Sequence, residues 1–482
     1  MQQVSDSQDE SRERRFEVVT YGCQMNVHDT EKLSNLLYHA GLRQADDSES
    51  ADLLVINTCS IRDKAENQLY SDLGKLRRWR DARPGRVLGV GGCVAQQQGD
   101  ALLRRFPHLD FVFGTHNLRW VPAMVDAALE GRRDARIGES RSLERFDLPE
   151  RHAAYTGGSP GRSFVTVMEG CDMFCSFCIV PLTRGREISR PADAIEDEVR
   201  DLAERGIREI TLLGQTVNAY GRHDLRRGRT GAAGTVAFAD LLRRLDAIPG
   251  IERIRYTSPH PIFFDDALVR AHGELESVCP HVHLPLQSGS DRVLEAMRRR
   301  YTRDEYLAIP RRLRAARPDI AITGDLIVGF PGETRRDFED TLAAVREAGL
   351  VDSYSFKYSP RPGTAAADLG DEVPADEAQE RLVELQDLQR ELTLDYHRSR
   401  VGTRTRILIE GASRRGSGQL RGRDPYHRVV NLEADAEPGS FLDVEIAEAT
   451  PHSLIGLTPG AWRAEETRRS VVPAGGDPLR VL

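Results

Sequence analysis

The sequence predicts an α/β protein in three parts: an N-terminal doubly wound parallel sheet, a central unit of six βα repeats and a C-terminal small β-barrel. Three patterns point to this. Through residues 16–130 short apolar runs alternate with amphipathic helical stretches. Through residues 157–398 six more apolar runs are separated by helical patterns. After Arg398 the chain changes to short β-like runs with glycines between them. These shifts place the parts at 15–130, 157–398 and 399–463.

At 482 residues the chain is too long for one ordinary domain. Its hydrophobic fraction of 39% and charged fraction of 29% fit a soluble globular protein. No stretch approaches the roughly 20 apolar residues of a membrane span, and Met1–Arg15 is polar, unlike a secretory signal. A cytoplasmic location is expected, where thiols stay reduced. The net charge of −8 argues against indiscriminate nucleic-acid binding, so any RNA contact must come from a local basic surface. Six of the seven cysteines fall into two groups of three: Cys23, Cys59 and Cys93, then Cys171, Cys175 and Cys178. Cys279 is left over.

In the first part the run Phe16–Tyr21 ends at Gly22–Cys23, and a helix follows, with Asp29 as its N-cap and Gly41 past its end. The run Leu53–Asn57 ends at Thr58–Cys59, and Val87–Gly91 ends at Gly92–Cys93, each followed by a helical stretch. Strand and helix in alternation imply right-handed crossovers and a parallel sheet. Each cysteine then sits just past a strand, on the carboxyl edge where open sheets bind ligands. Single cysteines are commonly buried hydrophobes. Three at equivalent strand ends point instead to one convergent site.

Residues 131–160, rich in Arg, Gly and Ser, read as a linker. A strand, Ser163–Met168, then enters the loop Cys171–Cys178, a CxxxCxxC spacing. Three thiolates within eight residues can wrap one face of a compact metal centre. Structural zinc normally takes four ligands, and no fourth Cys or His lies nearby. Three ligands around a four-iron cluster leave one iron open to a substrate. Further strands at Arg208–Leu213, Arg253–Thr257, Val282–Leu286, Ile320–Val328 and Ser353–Tyr358 complete six βα units. Polar or glycine-bearing motifs close them at Gly214–Gln215, Ser258–His260, Gln287–Ser290 and Gly329–Glu333, at the strand ends where barrels place their active sites.

CxxxCxxC after a strand resembles the signature of the radical S-adenosylmethionine (SAM) superfamily. That resemblance implies a partial (β/α)6 barrel and a [4Fe–4S] cluster on Cys171, Cys175 and Cys178. Its open iron would chelate SAM, and the resulting 5′-deoxyadenosyl radical would abstract hydrogen. By position Gly214, Gln215, Ser258, Gln287, Gly329 and Glu333 resemble the superfamily's SAM-contacting residues, with Gly214–Gln215 in place of a more usual Gly-Gly-Glu.

The pairing with a three-cysteine first domain is similar to the methylthiotransferase family, over roughly residues 15–463. Tyr21–Asn26, Asn57–Arg62 and Gly91–Gln96, with Arg184–Gly185–Arg186, resemble the tRNA-2-methylthio-N6-dimethylallyladenosine synthase branch. The resemblance implies a second [4Fe–4S] cluster on Cys23, Cys59 and Cys93, two SAM molecules per turnover and methylthiolation at C2 of the prenylated adenosine at tRNA position 37. It also implies an external electron donor and a sulfur source, and we expect a monomer. Adenine C2–H offers no leaving group, so a radical route suits it. The arginines Arg184 and Arg186 could serve the substrate or simply be solvated.

After the helix Glu377–Arg398 come β-like runs at Thr405–Glu410, Leu420–Gly422, Val429–Leu432 and Leu442–Ala447, resembling a TRAM domain, a small RNA-binding β-barrel. From Arg398 to Arg428 there are nine arginines against Glu410 and Asp424, a reversal of the chain's overall charge sign. We expect Arg404, Arg406, Arg421, Arg423 and Arg428 to meet tRNA phosphates, and backbone contact rather than stacking, since Tyr426 is the sole aromatic there. Rival readings are a methylthiotransferase acting on threonylcarbamoyl-adenosine or on a ribosomal protein side chain, and an iron–sulfur electron carrier or redox sensor. A six-unit barrel and an RNA module are excess equipment for a carrier.

Overall fold

The computed structural model describes residues 13–60, 63–140, 142–152, 160–222, 234–413 and 418–462. Ile61 and Arg62 of the second cysteine motif, Arg414 and Arg415, most of the basic insertion at 222–234 and the tail beyond Ala464 lie outside them.

The first sheet has six strands: β1 (Arg15–Thr20), β2 (Arg43–Gln44), β3 (Leu53–Thr58), β4 (Val87–Gly92), β5 (Phe111–Phe113) and β6 (Asp134–Arg136). They lie in the order β2-β1-β3-β4-β5-β6, and every pairing is parallel. The order reverses between β1 and β3, the switch point at which doubly wound sheets open a crevice. β3 and β4 are buried along their whole length, because helices cover both faces. One apolar cluster gathers around Leu54, Leu69, Trp79 and Leu88, and another around Phe16, Leu37, Phe111 and Met124.

Two expectations change here. The first helix runs Gln24–His39 and is N-capped by Cys23, so Asp29 sits inside it rather than at its start. The segment read as a linker carries β6 and a 3₁₀ turn, Leu143–Phe146, so the first sheet extends past residue 130. Short edge strands of mixed polarity leave little periodic signal, which is why β6 is silent in the sequence.

The central part contains β7 (Arg162–Thr166), the small antiparallel pair β8 (Met168–Glu169) and β9 (Ile188–Ser189), then β10 (Glu209–Leu213), β11 (Arg253–Tyr256), β12 (His281–His283), β13 (Ala321–Val328) and β14 (Asp352–Lys357). Parallel pairing runs β7-β10-β11 and β12-β13-β14. The bridge Ile254–Val278 carries the arc from β11 toward β12. This is a six-strand partial barrel, closed outside by helices whose apolar faces form the largest core of the protein.

The C-terminal part is a closed barrel of β15 (Arg404–Ala412), β16 (Leu420–Arg423), β17 (Val429–Leu432), β18 (Phe441–Ala449) and β19 (Leu454–Leu457). β19 was not expected. A long helix, Ala375–Arg400, leads into it. The barrel docks at the amino ends of the central strands, where charged residues that would otherwise be stranded are given partners. Glu209 of β10 is buried between Arg253 and Arg255 of β11, at 3.4 and 3.0 Å. Burial opposes its ionisation, but the two guanidinium charges outweigh this and hold its pKa below the ordinary value. Arg253 then donates to the carbonyls of Arg406 and Arg423, and Arg255 to those of Asp424 (2.8 Å) and Pro425 (2.9 Å). His427 stacks on His281 of β12, with ring centroids 5.2 Å apart.

This closure yields a stability prediction. Arg255→Met would leave Glu209 buried with one partner fewer and strand two carbonyls, at a cost of about 3–5 kcal/mol. Urea unfolding measures it. A loss below about 1 kcal/mol would mean that the docked barrel does not depend on this cluster.

Candidate active site

The local geometry at the carboxyl edge of the first sheet explains the motif residues around its cysteines. Asn26 Oδ1 accepts from the Cys23 N–H at 3.4 Å, and Asn26 Nδ2 donates to Thr58 O at 2.9 Å. Asn57 Nδ2 donates back to Asn26 O at 2.8 Å, and Thr58 Oγ1 to Gly91 O at 2.7 Å. These bonds stitch the ends of β1, β3 and β4 together, one cysteine on each. Gly22 (φ +137°) and Gly92 (φ +94°) permit the close approach, since a Cβ at Gly22 would overlap Cys59 and one at Gly92 would overlap Thr58 O.

The three thiols converge. Cys59 hydrogen-bonds to Cys23; against burial, the Arg184 charge and the Asn26 and Met25 N–H groups add to this, lowering the Cys23 pKa to about 6. Burial pushes the Cys93 thiol up, partly offset by the same Arg184 charge. Cys59 and Cys93 are buried, and Cys23 is half-buried. Cys23 caps one helix and Cys93 opens another, Cys93–Gln98, so both face helix amino ends that favour thiolate.

The second triad occupies the loop after β8. Cys171 and Cys175 are buried among Met173, Phe177 and Phe263, and Cys178 is half-buried beside them. Burial raises the Cys171 pKa and pushes Cys178 up to about 12. Two polar groups nevertheless reach the sulfurs: Thr216 Oγ1 lies 3.1 Å from Cys171 Sγ, and Arg299 Nη1 donates to Cys175 Sγ at 3.3 Å. Sequence reasoning missed both. Thr216 directly follows the noted Gly214–Gln215, and Arg299 sits in the run Arg298–Arg300, either of which could have prompted the question.

Of the expected SAM-contacting positions, Gly214 directly follows β10, and Gln215 accepts a hydrogen bond from Gly170 N, bracing the cysteine loop. Ser258 (φ +58°) and Gln287 (φ +70°) hold left-handed backbone past β11 and β12, a conformation costly to non-glycine residues and concentrated at functional sites. Gly329 follows β13. Glu333 departs from the expectation: its carboxylate accepts from Gly329 N at 3.2 Å and pairs with buried Arg381 at 2.6 Å, so it braces the loop.

Polar residues join the two triads across one seam. From the first helix Asp29 pairs with Arg184 at 2.6 Å, Lys32 lies 3.4 Å from Glu169, and Asn35 Nδ2 donates to Pro149 O at 2.9 Å. Arg145, in the supposed linker, pairs with Glu169 at 2.5 Å. Burial opposes ionisation of Glu169, but Arg145, Lys32 and Arg184 prevail and lower its pKa to about 2. Arg184 is therefore buried in an ion pair, whereas Arg186 is half-exposed and paired with Asp172 at 2.6 Å.

The expected RNA-facing arginines divide. Arg404 is 83% exposed and lies 3.3 Å from Glu445, and Arg421 lies 3.0 Å from Glu410 with its side chain half-buried. Arg406 pairs with Glu252, Arg423 with Glu410, and the buried Arg428 with Asp352 at 2.8 Å. Arg406 and Arg428 thus pair across the seam with the central part, whereas Arg404, Arg421 and Arg423 pair within the barrel.

The residues present fit iron–sulfur groups. Each triad is three soft thiol donors without a fourth Cys, the donor set of a four-iron cluster with one open iron. Arg184 Nη1 is buried beside the first triad with no oxygen or nitrogen acceptor among the described residues, and its guanidinium hydrogen-bonds the Cys93 thiol.

Comparison with known proteins agrees with this architecture. Residues 15–114 match uncharacterized protein family UPF0004, residues 165–345 the radical SAM superfamily and residues 398–457 the TRAM domain. A tRNA-2-methylthio-N(6)-dimethylallyladenosine synthase of Geotalea uraniireducens is 50% identical over 92% of this chain and 99% of its own length. One from Pseudomonas syringae pv. syringae is 45% identical, over 92% and 99%. Among solved structures, the radical SAM methyltransferase TsrM from Kitasatospora setae shares the fold at a TM-score of 0.52 and 16% identity, covering 74% of this chain and 77% of its own. The chain belongs to the tRNA-2-methylthio-N(6)-dimethylallyladenosine synthase family.

Proposed function

We propose that this chain is an enzyme that installs a methylthio group at C2 of N6-dimethylallyladenosine in tRNA. The observation that carries the reading is the placement of two cysteine triads on strand-end loops that meet at one seam, within a chain related along nearly its whole length to synthases of this modification. Cys171, Cys175 and Cys178 would hold the SAM-binding [4Fe–4S] cluster, and Cys23, Cys59 and Cys93 the second. When bound, these clusters and SAM supply the electron, the methyl group and the radical hydrogen abstraction that an unactivated aromatic C–H requires.

The protein's own residues hold and shield. Thr216 Oγ1 lies against Cys171 and Arg299 donates a charged N–H to Cys175, contacts that would tune the centre these sulfurs hold. Gly214, Gln215, Ser258, Gln287 and Gly329 line the barrel's carboxyl end, where SAM would be oriented. Arg404 and Arg421 offer charge to tRNA phosphates. The reductant and the sulfur source come from outside, the working unit is a monomer, and the site of action is the cytoplasm, where tRNA is modified.

Nucleoside analysis of tRNA from cells lacking the protein tests the reading. It should show loss of the methylthio nucleoside and accumulation of N6-dimethylallyladenosine, both reversed by the intact gene. Unchanged tRNA alongside an altered ribosomal protein would favour the protein-modifying alternative.

Reconstitution separates the triads. The intact chain should carry about eight irons, and either triple Cys→Ala variant about four. The Cys171/Cys175/Cys178 variant should lose SAM cleavage. The Cys23/Cys59/Cys93 variant should keep it while making no methylthio product; full product from that variant would show those cysteines to be structural.

For RNA, Arg404→Ala combined with Arg421→Ala should weaken tRNA binding and reduce the salt slope by up to about two units. Arg428→Ala should lower thermal stability instead, with little change in slope. Identical slopes for the intact chain and the double variant would place tRNA elsewhere.

A further inference from the structure

Arg184 follows the second cysteine triad in sequence, yet it is built into the first. It ends the short helix Val180–Arg184, and its Nη2 donates to Asp29 Oδ2 at 2.6 Å, with both side chains at most 5% exposed. The first domain also grips its backbone. Thr115 Oγ1 donates to Thr183 O at 2.6 Å, and His116 Nε2 lies 2.9 Å from Arg184 O. Ser140 N donates to His116 Nδ1 at 3.1 Å, which places the ring proton on Nε2, so Nε2 donates to that carbonyl. On the other side, Cys171 N donates to Gly185 O at 3.1 Å. One short segment is thus bonded to the first ligand of one triad while its arginine sits against the other.

Two facts go beyond a plain interdomain ion pair. The Arg184 side chain, 3% exposed, hydrogen-bonds the Cys93 thiol as well as Asp29. Its Nη1 is buried with no oxygen or nitrogen acceptor among the described residues, and an unsatisfied buried donor is costly enough that native structures seldom keep one. The missing acceptor belongs on the side of the thiols.

We propose that Arg184 is a positioning residue for the N-terminal iron–sulfur centre, aiming a guanidinium N–H and a fixed positive charge at it and setting its reduction potential, with Asp29 as the opposing charge. The inference rests on the assignment of a cluster to Cys23, Cys59 and Cys93. A positive charge nearby favours the reduced, more negative state of a cluster. Removing it lowers the midpoint potential, and removing the Asp29 carboxylate raises it. A residue serving only as a domain clamp would behave otherwise, because either substitution breaks the same ion pair and would have the same consequence.

The test uses the full-length chain carrying Cys171→Ala, Cys175→Ala and Cys178→Ala, so that only the N-terminal centre remains, followed by EPR-monitored redox titration. Arg184→Gln should reduce the reduced-to-oxidised ratio at fixed poise by on the order of tenfold, and Asp29→Asn should raise it. Arg184→Lys, which keeps the charge but loses the second donor, should fall between wild type and Arg184→Gln. Should Arg184→Gln fail to fold or to bind iron, the opposite shift in Asp29→Asn and the intermediate shift in Arg184→Lys decide the matter. Unchanged potentials, or shifts of one sign in both Arg184→Gln and Asp29→Asn, would overturn the proposal. A background chain that binds no iron would instead overturn the cluster assignment itself.

Discussion

A charge taken out of water must find a counter-charge or hydrogen bonds, and this protein uses that demand to hold its parts in register. Asp29, Lys32 and Asn35 recur along one face of the first helix, where a solitary amphipathic helix would meet solvent or an apolar core. Asp29 and Lys32 instead meet the central part, at Arg184 and Glu169, and Asn35 meets the connecting segment at the carbonyls of Pro149 and Glu150. A slip along this seam would leave charges buried and unpaired. Apolar surfaces would tolerate such a slip more readily, because they are not directional. The polar seam thereby fixes one carboxyl edge against another, and both thiol triads lie along those edges.

The opposite end of the central barrel follows the same rule with different partners. Glu209, Arg253 and Arg255 face inward near the amino ends of β10 and β11, and the C-terminal barrel supplies the carbonyls that complete their hydrogen bonds. The C-terminal barrel is therefore a closing element as well as a surface for RNA. Its arginines divide between the two tasks: Arg428 and Arg406 reach Asp352 and Glu252 of the central part, whereas Arg404 points outward.

What the sequence reveals follows from which forces are local. Parallel strands buried on both faces are continuous apolar runs, so β3, β4 and β10 are legible, and the cysteines that close β3 and β4 give away the carboxyl edge. The CxxxCxxC loop is legible because its ligands are neighbours in the chain. The seam is not. Arg184 and Asp29 are 155 positions apart, and nothing periodic connects them, so Asp29 reads as a helix cap and Arg184 as a choice between substrate contact and solvent. Arg145 and β6 vanish into a stretch whose composition suggests a linker, although Arg145 carries one side of the Glu169 network. The basic run near the C-terminus shows charge but not direction, and direction decides between phosphate and Asp352.

Two separate clusters, one on each triad, would be fixed relative to each other by this ionic seam. Pulsed dipolar EPR between the two reduced centres of the reconstituted chain tests it most directly. The structure requires a single narrow distance distribution, present without tRNA and unchanged by its addition. A broad distribution, of the kind two domains on a slack linker produce, or a single paramagnetic centre with no dipolar partner, would contradict it.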